Sequence, residues 1–108
     1  MKIIFHTDFY RVYTSDPAAA SGRMESIIKV ISGHYEFIEP AAAKEEDIAA
    51  VHSFSHIEHI KGLGLYSISA LAAGGAVEAA LLGLKEPCFA LMRPPGHHAS
   101  ADRNICRN

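Results

Sequence analysis

The residues best placed to do chemistry lie in the octapeptide Arg93-Pro94-Pro95-Gly96-His97-His98-Ala99-Ser100. Two adjacent histidines follow a Pro-Pro-Gly turn and stand directly behind the apolar run Cys88-Phe89-Ala90-Leu91-Met92. A parallel sheet presents catalytic side chains in this way: a buried strand ends, and the loop at its carboxyl end carries them. Each proline fixes its own φ and pushes the residue before it toward extended backbone, so Arg93 and Pro94 have little freedom. Gly96 then permits a conformation or a close approach that a side chain would forbid. The corner has the rigidity that a reactive pair requires.

Other candidates are fewer. His52, His56 and His59 are spaced i, i+4, i+7 and would share one face of a continuous helix, where three imidazoles could hold zinc, nickel or copper. Surface histidines on a helix are the plainer reading. His6 and Asp8 follow the first apolar run, and adjacent parallel strands would bring them near His97, in a supporting hydrogen-bond role. Asp102 is four residues past His98 in a polar tail, which is expected to be mobile. Cys88 reads as a small core residue.

The elements that must position these groups follow from apolar spacing. Ile3-Ile4-Phe5 is a strand that ends at the polar corner His6-Thr7-Asp8, and Tyr10 to Ser21 reads as loop. Met24, Ile27, Ile28 and Ile31 mark a helix that ends at Ser32-Gly33, with Gly33 as a left-handed cap. Tyr35 to Pro40 alternates and stops at proline, giving a second strand. Lys44 to Val51 opens on acidic residues that suit the positive end of a helix dipole. Ser55 to Lys61 is a further helix, broken by Gly62 and Gly64. Tyr66 to Leu84 is a long Ala-rich helix, and its Gly74-Gly75 pair points to a close approach between helix and strand. A turn at Lys85-Glu86-Pro87 leads into the third strand. The order β-α-β-α-α-α-β predicts an α/β fold, a three-layer parallel sheet of about three strands flanked by helices.

The composition bounds what the chain can do. At 108 residues it is one domain, and a net charge of −2 with no basic run argues against nucleic acid or an anionic membrane. Tyr66–Leu84 has the length of a membrane span, but Glu78, two serines and an Ala-dominated composition predict a buried helix of a soluble protein instead. Cys88 and Cys106 form no CxxC pattern, so no disulfide framework is expected and a reducing, cytoplasmic setting is. The opening Met1–His6 is too short for a secretory signal.

Residues 1–100 resemble the histone deacetylase superfamily, in particular its acetylpolyamine amidohydrolase-like members. The resemblance is carried by the first strand with His6 and Asp8, by Gly22-Arg23-Met24-Glu25, and by Glu46-Asp47-Ile48-Ala49-Ala50-Val51-His52-Ser53. It is carried further by Ala72-Ala73-Gly74-Gly75-Ala76, and above all by Phe89-Ala90-Leu91-Met92-Arg93-Pro94-Pro95-Gly96-His97-His98-Ala99. It implies the arginase/deacetylase fold and zinc-dependent hydrolysis of N-acetyl amides, on acetyl-lysine or an acetylpolyamine. Zinc would polarise the acetyl carbonyl and activate its water. His98 would correspond to the general base and His97 to its electrostatic or acid partner, each tuned by a downstream aspartate. Arg23 would brace a loop. A chain break near His52-Ser53 would splay the three spaced histidines.

In that family an Asp-x-His pair, a further Asp and an oxyanion-stabilising tyrosine all follow the paired histidines. Here Ser100 to Asn108 lacks the expected glycine and aromatic, so the resemblance ends after Ala99. The expectation is a deacetylase-like portion at 1–100 with a divergent tail at 101–108, a copy cut short, frameshifted or degraded. Such a chain would hold no metal or cofactor and be inactive alone, with His97 and His98 vestigial. The alternatives are a half-enzyme complemented by a second chain, and a self-associating module without catalysis. A sheet edge and a helix face left bare would drive association into a homo-oligomer.

Overall fold

The computed structural model describes residues 1–96 and Ala101. His97, His98, Asp102 and Cys106 therefore lie outside the described residues. The chain runs through β1 (Lys2–Ile4), short 3-10 turns at Thr7–Tyr10 and Pro17–Ala19, α1 (Arg23–Ile31) and β2 (Glu36–Ile38). It continues through α2 (Glu45–Ala49), α3 (Phe54–Gly62), α4 (Tyr66–Gly83) and β3 (Cys88–Ala90). The strands form one parallel sheet in the order β2-β1-β3, with Ile3 opposite Phe37 on one side and Phe89 on the other. Parallel strands need long crossovers, and the helices supply them. The predicted fold class and element order both hold.

β1 is paired on both sides, and its Ile3 and Ile4 are almost wholly buried. Alternate residues point to opposite faces of a strand. Ile3 and Phe5 join Phe9, Met24, Ile68, Leu71, Ala72 and Leu91 in the core cluster, with Ile28 and Ile31 of α1 packed against it. Ile27, expected on the same stripe, is 37% exposed instead, so α1 touches the core through Met24, Ile28 and Ile31. Glycines frame that helix: Gly22 before it has φ +83° and Gly33 after it φ +84°, values that side chains seldom adopt.

The Gly74-Gly75 pair does what its position in the long helix predicts. A Cβ on Gly74 would collide with the Ala41 carbonyl oxygen and lie 2.7 Å from the Ala43 nitrogen. A Cβ on Gly75 would strike the Met92 sulfur and come within 3.5 Å of Ile4 Cγ2. These contacts let α4 lie flat on the sheet, and the Ala43 amide donates to the Ala70 carbonyl at 2.9 Å.

β3 and α4 are less buried than their apolar composition suggests, in keeping with the bare sheet edge and helix face expected above. β3 is not a buried strand: Phe89 is 53% exposed and Cys88 only half-buried, because β1 is its one neighbour and its outer edge carries nothing among the described residues. Nor is α4 a buried helix. By length and mean hydropathy of 1.3 it is apolar enough to cross a membrane, yet only 22% of it is buried. Its inward side meets the sheet and the 41–43 loop, while Val77, Leu81 and Leu84, spaced i, i+4, i+7, remain 56–83% exposed.

Candidate functional site

The corner that precedes the paired histidines is held from the side of β1. Leu91 keeps the sheet geometry one residue beyond β3, its amide donating to the Ile4 carbonyl at 2.9 Å. Two residues on, Arg93 falls on the same side of the chain as Leu91, toward the core. A charged side chain directed there must find acceptors, since an unpaired buried charge is costly. Arg93 finds four, all backbone carbonyls. Nε donates to Phe9 at 2.7 Å, one terminal nitrogen to Ala18 at 3.2 Å and Ala20 at 3.1 Å, and the other to Tyr10 at 3.0 Å. Arg93 as a whole is 3% exposed, and its guanidinium carbon lies 5.8 Å from the ring centre of Tyr13. Burial pushes the Tyr13 hydroxyl above its ordinary pKa, against the opposing pull of Arg93.

This arrangement corrects the sequence reading. Arg23, expected to brace a loop, is exposed on α1; Arg93 is the arginine that braces the 7–20 loop. The signal was available in the two-residue period that sets Leu91 and Arg93 on one face. The Arg93–Pro94 peptide bond is cis, and Pro94, Pro95 and Gly96 then reach the rim of a cavity of about 550 Å3.

That cavity lies among α2, α3, α4 and the corner. Its walls are mostly apolar, with Ile48, Ile57, Ile60, Val77 and Met92 among them, and its polar groups are Asp47, His52, His56, Tyr66 and Ser69. Concave apolar sites with a few convergent polar groups are the usual form of a small-molecule site. An ion-pair group stands beside Tyr66, one of its lining residues. Lys61 donates to Glu45 at 2.6 Å, lies 3.6 Å from Glu58 and stands 5.0 Å above the Tyr66 ring. Hydrogen bonds from Lys61 and then Tyr66 hold the Glu45 carboxyl below the usual range. The same bond to Glu45 raises Lys61.

The spaced histidines come apart at a break between two helices, as the resemblance implies. α2 ends at Ala49, and Ser53 caps α3 by accepting from the His56 amide at 3.2 Å. His52 and His56 still face each other, ring centres 5.1 Å apart, and both line the cavity; His59 is exposed elsewhere on α3. No three histidine, cysteine, aspartate or glutamate side chains converge on a metal-sized site among the described residues. The zinc that the family resemblance implies therefore has no holder among them. His6 is occupied locally, its Nδ1 accepting from the Asp8 amide at 2.9 Å and lying 3.5 Å from the Asp8 carboxylate.

The HD domain of HDA15 superposes on 97% of this chain with a TM-score of 0.74 at 18% identity, and the chain covers 39% of that structure. In sequence the chain is 32% identical over 124 positions to a probable deacetylase of Methanothermobacter thermautotrophicus, covering 95% of this chain and 38% of the relative. A probable deacetylase of Archaeoglobus fulgidus is also 32% identical, over 90% of the chain and 34% of the relative. A histone deacetylase-like amidohydrolase of Pseudomonas aeruginosa is 28% identical, over 81% and 31%. No family model matches the chain. The chain is a relative of the histone deacetylase-like superfamily, and it spans between about a third and two fifths of the length of these proteins.

Proposed function

We propose that this chain is the part of a deacetylase-like amidohydrolase that presents the paired histidines, serving hydrolysis of N-acetyl amides on acetyl-lysine or an acetylpolyamine. The observation that carries this reading is the Arg93-braced corner, which sets Pro94-Pro95-Gly96 on the rim of the cavity. The chain leaves that rim directly into His97-His98. Histidine titrates near neutral pH, so a general base and its acid or electrostatic partner are the roles such a pair can fill. Zinc binding, in this reading, belongs to residues that the 108-residue chain does not itself supply. Assayed by itself, the 108-residue stretch is expected to release no acetate.

The test is acetate release from an acetyl-lysine peptide and from an acetylpolyamine, with zinc added. The chain is assayed alone, then mixed or fused with the remaining portion of the Methanothermobacter relative. The expected result is no turnover alone, turnover in combination, and loss of about 10²-fold or more on His98→Ala in the combination. No turnover in any combination, or turnover indifferent to His97→Ala and His98→Ala, would overturn the proposal. Turnover by the chain alone would overturn its dependence on a second portion.

A further inference from the structure

Arg93 is unusual in what surrounds its charge. The guanidinium is nearly inaccessible, and its four hydrogen bonds all end on carbonyl oxygens, from Phe9, Tyr10, Ala18 and Ala20. Among the described residues no carboxylate joins this set. A buried arginine kept for a charge partner would show one, whereas a planar fork with several fixed donors suits the binding together of backbone segments. The four acceptors come from two separate turns, Thr7–Tyr10 and Pro17–Ala19 with their flanking residues, neither of which belongs to the sheet. Arg93 itself is followed at once by Pro94 and Pro95, so the backbone has little slack between the guanidinium anchor and Gly96 at the cavity rim. The remainder of the 7–20 loop is tied elsewhere, Arg11 donating to the Gly64 carbonyl at 3.2 Å at the α3–α4 turn.

We infer that Arg93 is the positioning residue of the Pro94-Pro95-Gly96 corner, joining it to the loop after β1 through the shape of its guanidinium rather than through charge. Movement of either loop then moves Gly96, which the paired histidines follow in sequence. This rests on the function proposed above for its catalytic meaning, but the coupling is measured without turnover. Failed hydrolysis with intact coupling sinks the functional reading alone. Absent coupling sinks this inference alone.

The experiment compares the full chain with Arg93→Lys and Arg93→Ala by NMR. The readouts are the amide exchange of Arg11 and Leu91 and the imidazole titrations of His97 and His98, with exposed His34 as the control. Expected in both variants is amide exchange faster by about tenfold or more at both positions together. The His97 and His98 titrations should move and that of His34 stay. Methylguanidinium should reverse these changes in Arg93→Ala, and butylammonium should not. Should Arg93→Ala fail to fold, recovery of its helical circular dichroism by methylguanidinium but not butylammonium supports the inference, and no selective recovery overturns it. Wild-type behaviour in Arg93→Lys, or changes at Arg11 without changes at Leu91, would also overturn it.

Discussion

The two ends of the β3 segment live in opposite environments. At its carboxyl end, within three residues of the strand, Arg93 is tied by four hydrogen bonds to two turns far away in sequence. Along its flank, Phe89 is 53% exposed, and on α4 Val77, Leu81 and Leu84 stand exposed. One region is fixed more firmly than a surface corner needs, and the other is left apolar and open. Stability alone explains neither. A corner that must hold reactive groups to a narrow geometry explains the first, and a surface meant to be covered explains the second.

The largest effect expected from breaking this contrast is at the close approach that seats α4 on the sheet. Gly74→Ala drives a methyl into the Ala41–Ala43 backbone, which cannot swing aside as a side chain can. Destabilisation of about 1–3 kcal/mol is expected from thermal unfolding, with Gly83→Ala, which meets nothing within 4 Å, neutral or stabilising by up to about 1 kcal/mol. Equal effects at the two glycines would show that α4 is not pressed on the 41–43 loop.

The next largest effect concerns the open flank. We expect the chain to self-associate through the free β3 edge and the exposed face of α4, since bare strand edges and apolar patches promote pairing. Sedimentation should find dimers or larger species, shifted toward monomer by Leu84→Lys. That residue is 83% exposed, so its replacement should change folding stability by no more than about 0.5 kcal/mol. A monodisperse monomer at every concentration would contradict the expectation.

Much of the fold was legible because its signals are local. The i, i+4, i+7 spacing of Met24, Ile28 and Ile31, the glycines at 22 and 33, and the Gly74-Gly75 pair each state their own requirement. For β3 and α4 the bare edge and half-covered face followed from the family resemblance and not from composition, because apolar composition marks what prefers to be covered and not what is covered. Of the site, the corner itself could be read from Pro94-Pro95-Gly96. The partners of Arg93 could not, since Phe9, Tyr10, Ala18 and Ala20 contribute only carbonyls, and any sequence has those. His52 and His56 could be paired from spacing, but the cavity they share depends on how α2, α3 and α4 meet.

The central claim is that the corner behind β3 is held rigid while its flank is open, and amide hydrogen exchange of the wild-type chain tests it most directly. The Leu91 amide, bonded to Ile4, and the Arg11 amide, bonded to Asp8 in the turn that Arg93 grips, should exchange more slowly than that of Leu84 at the end of α4. A difference of about tenfold or more is predicted. Exchange at Leu91 and Arg11 as fast as at Leu84 would mean that Arg93 does not hold the corner, and the account of this site would be wrong.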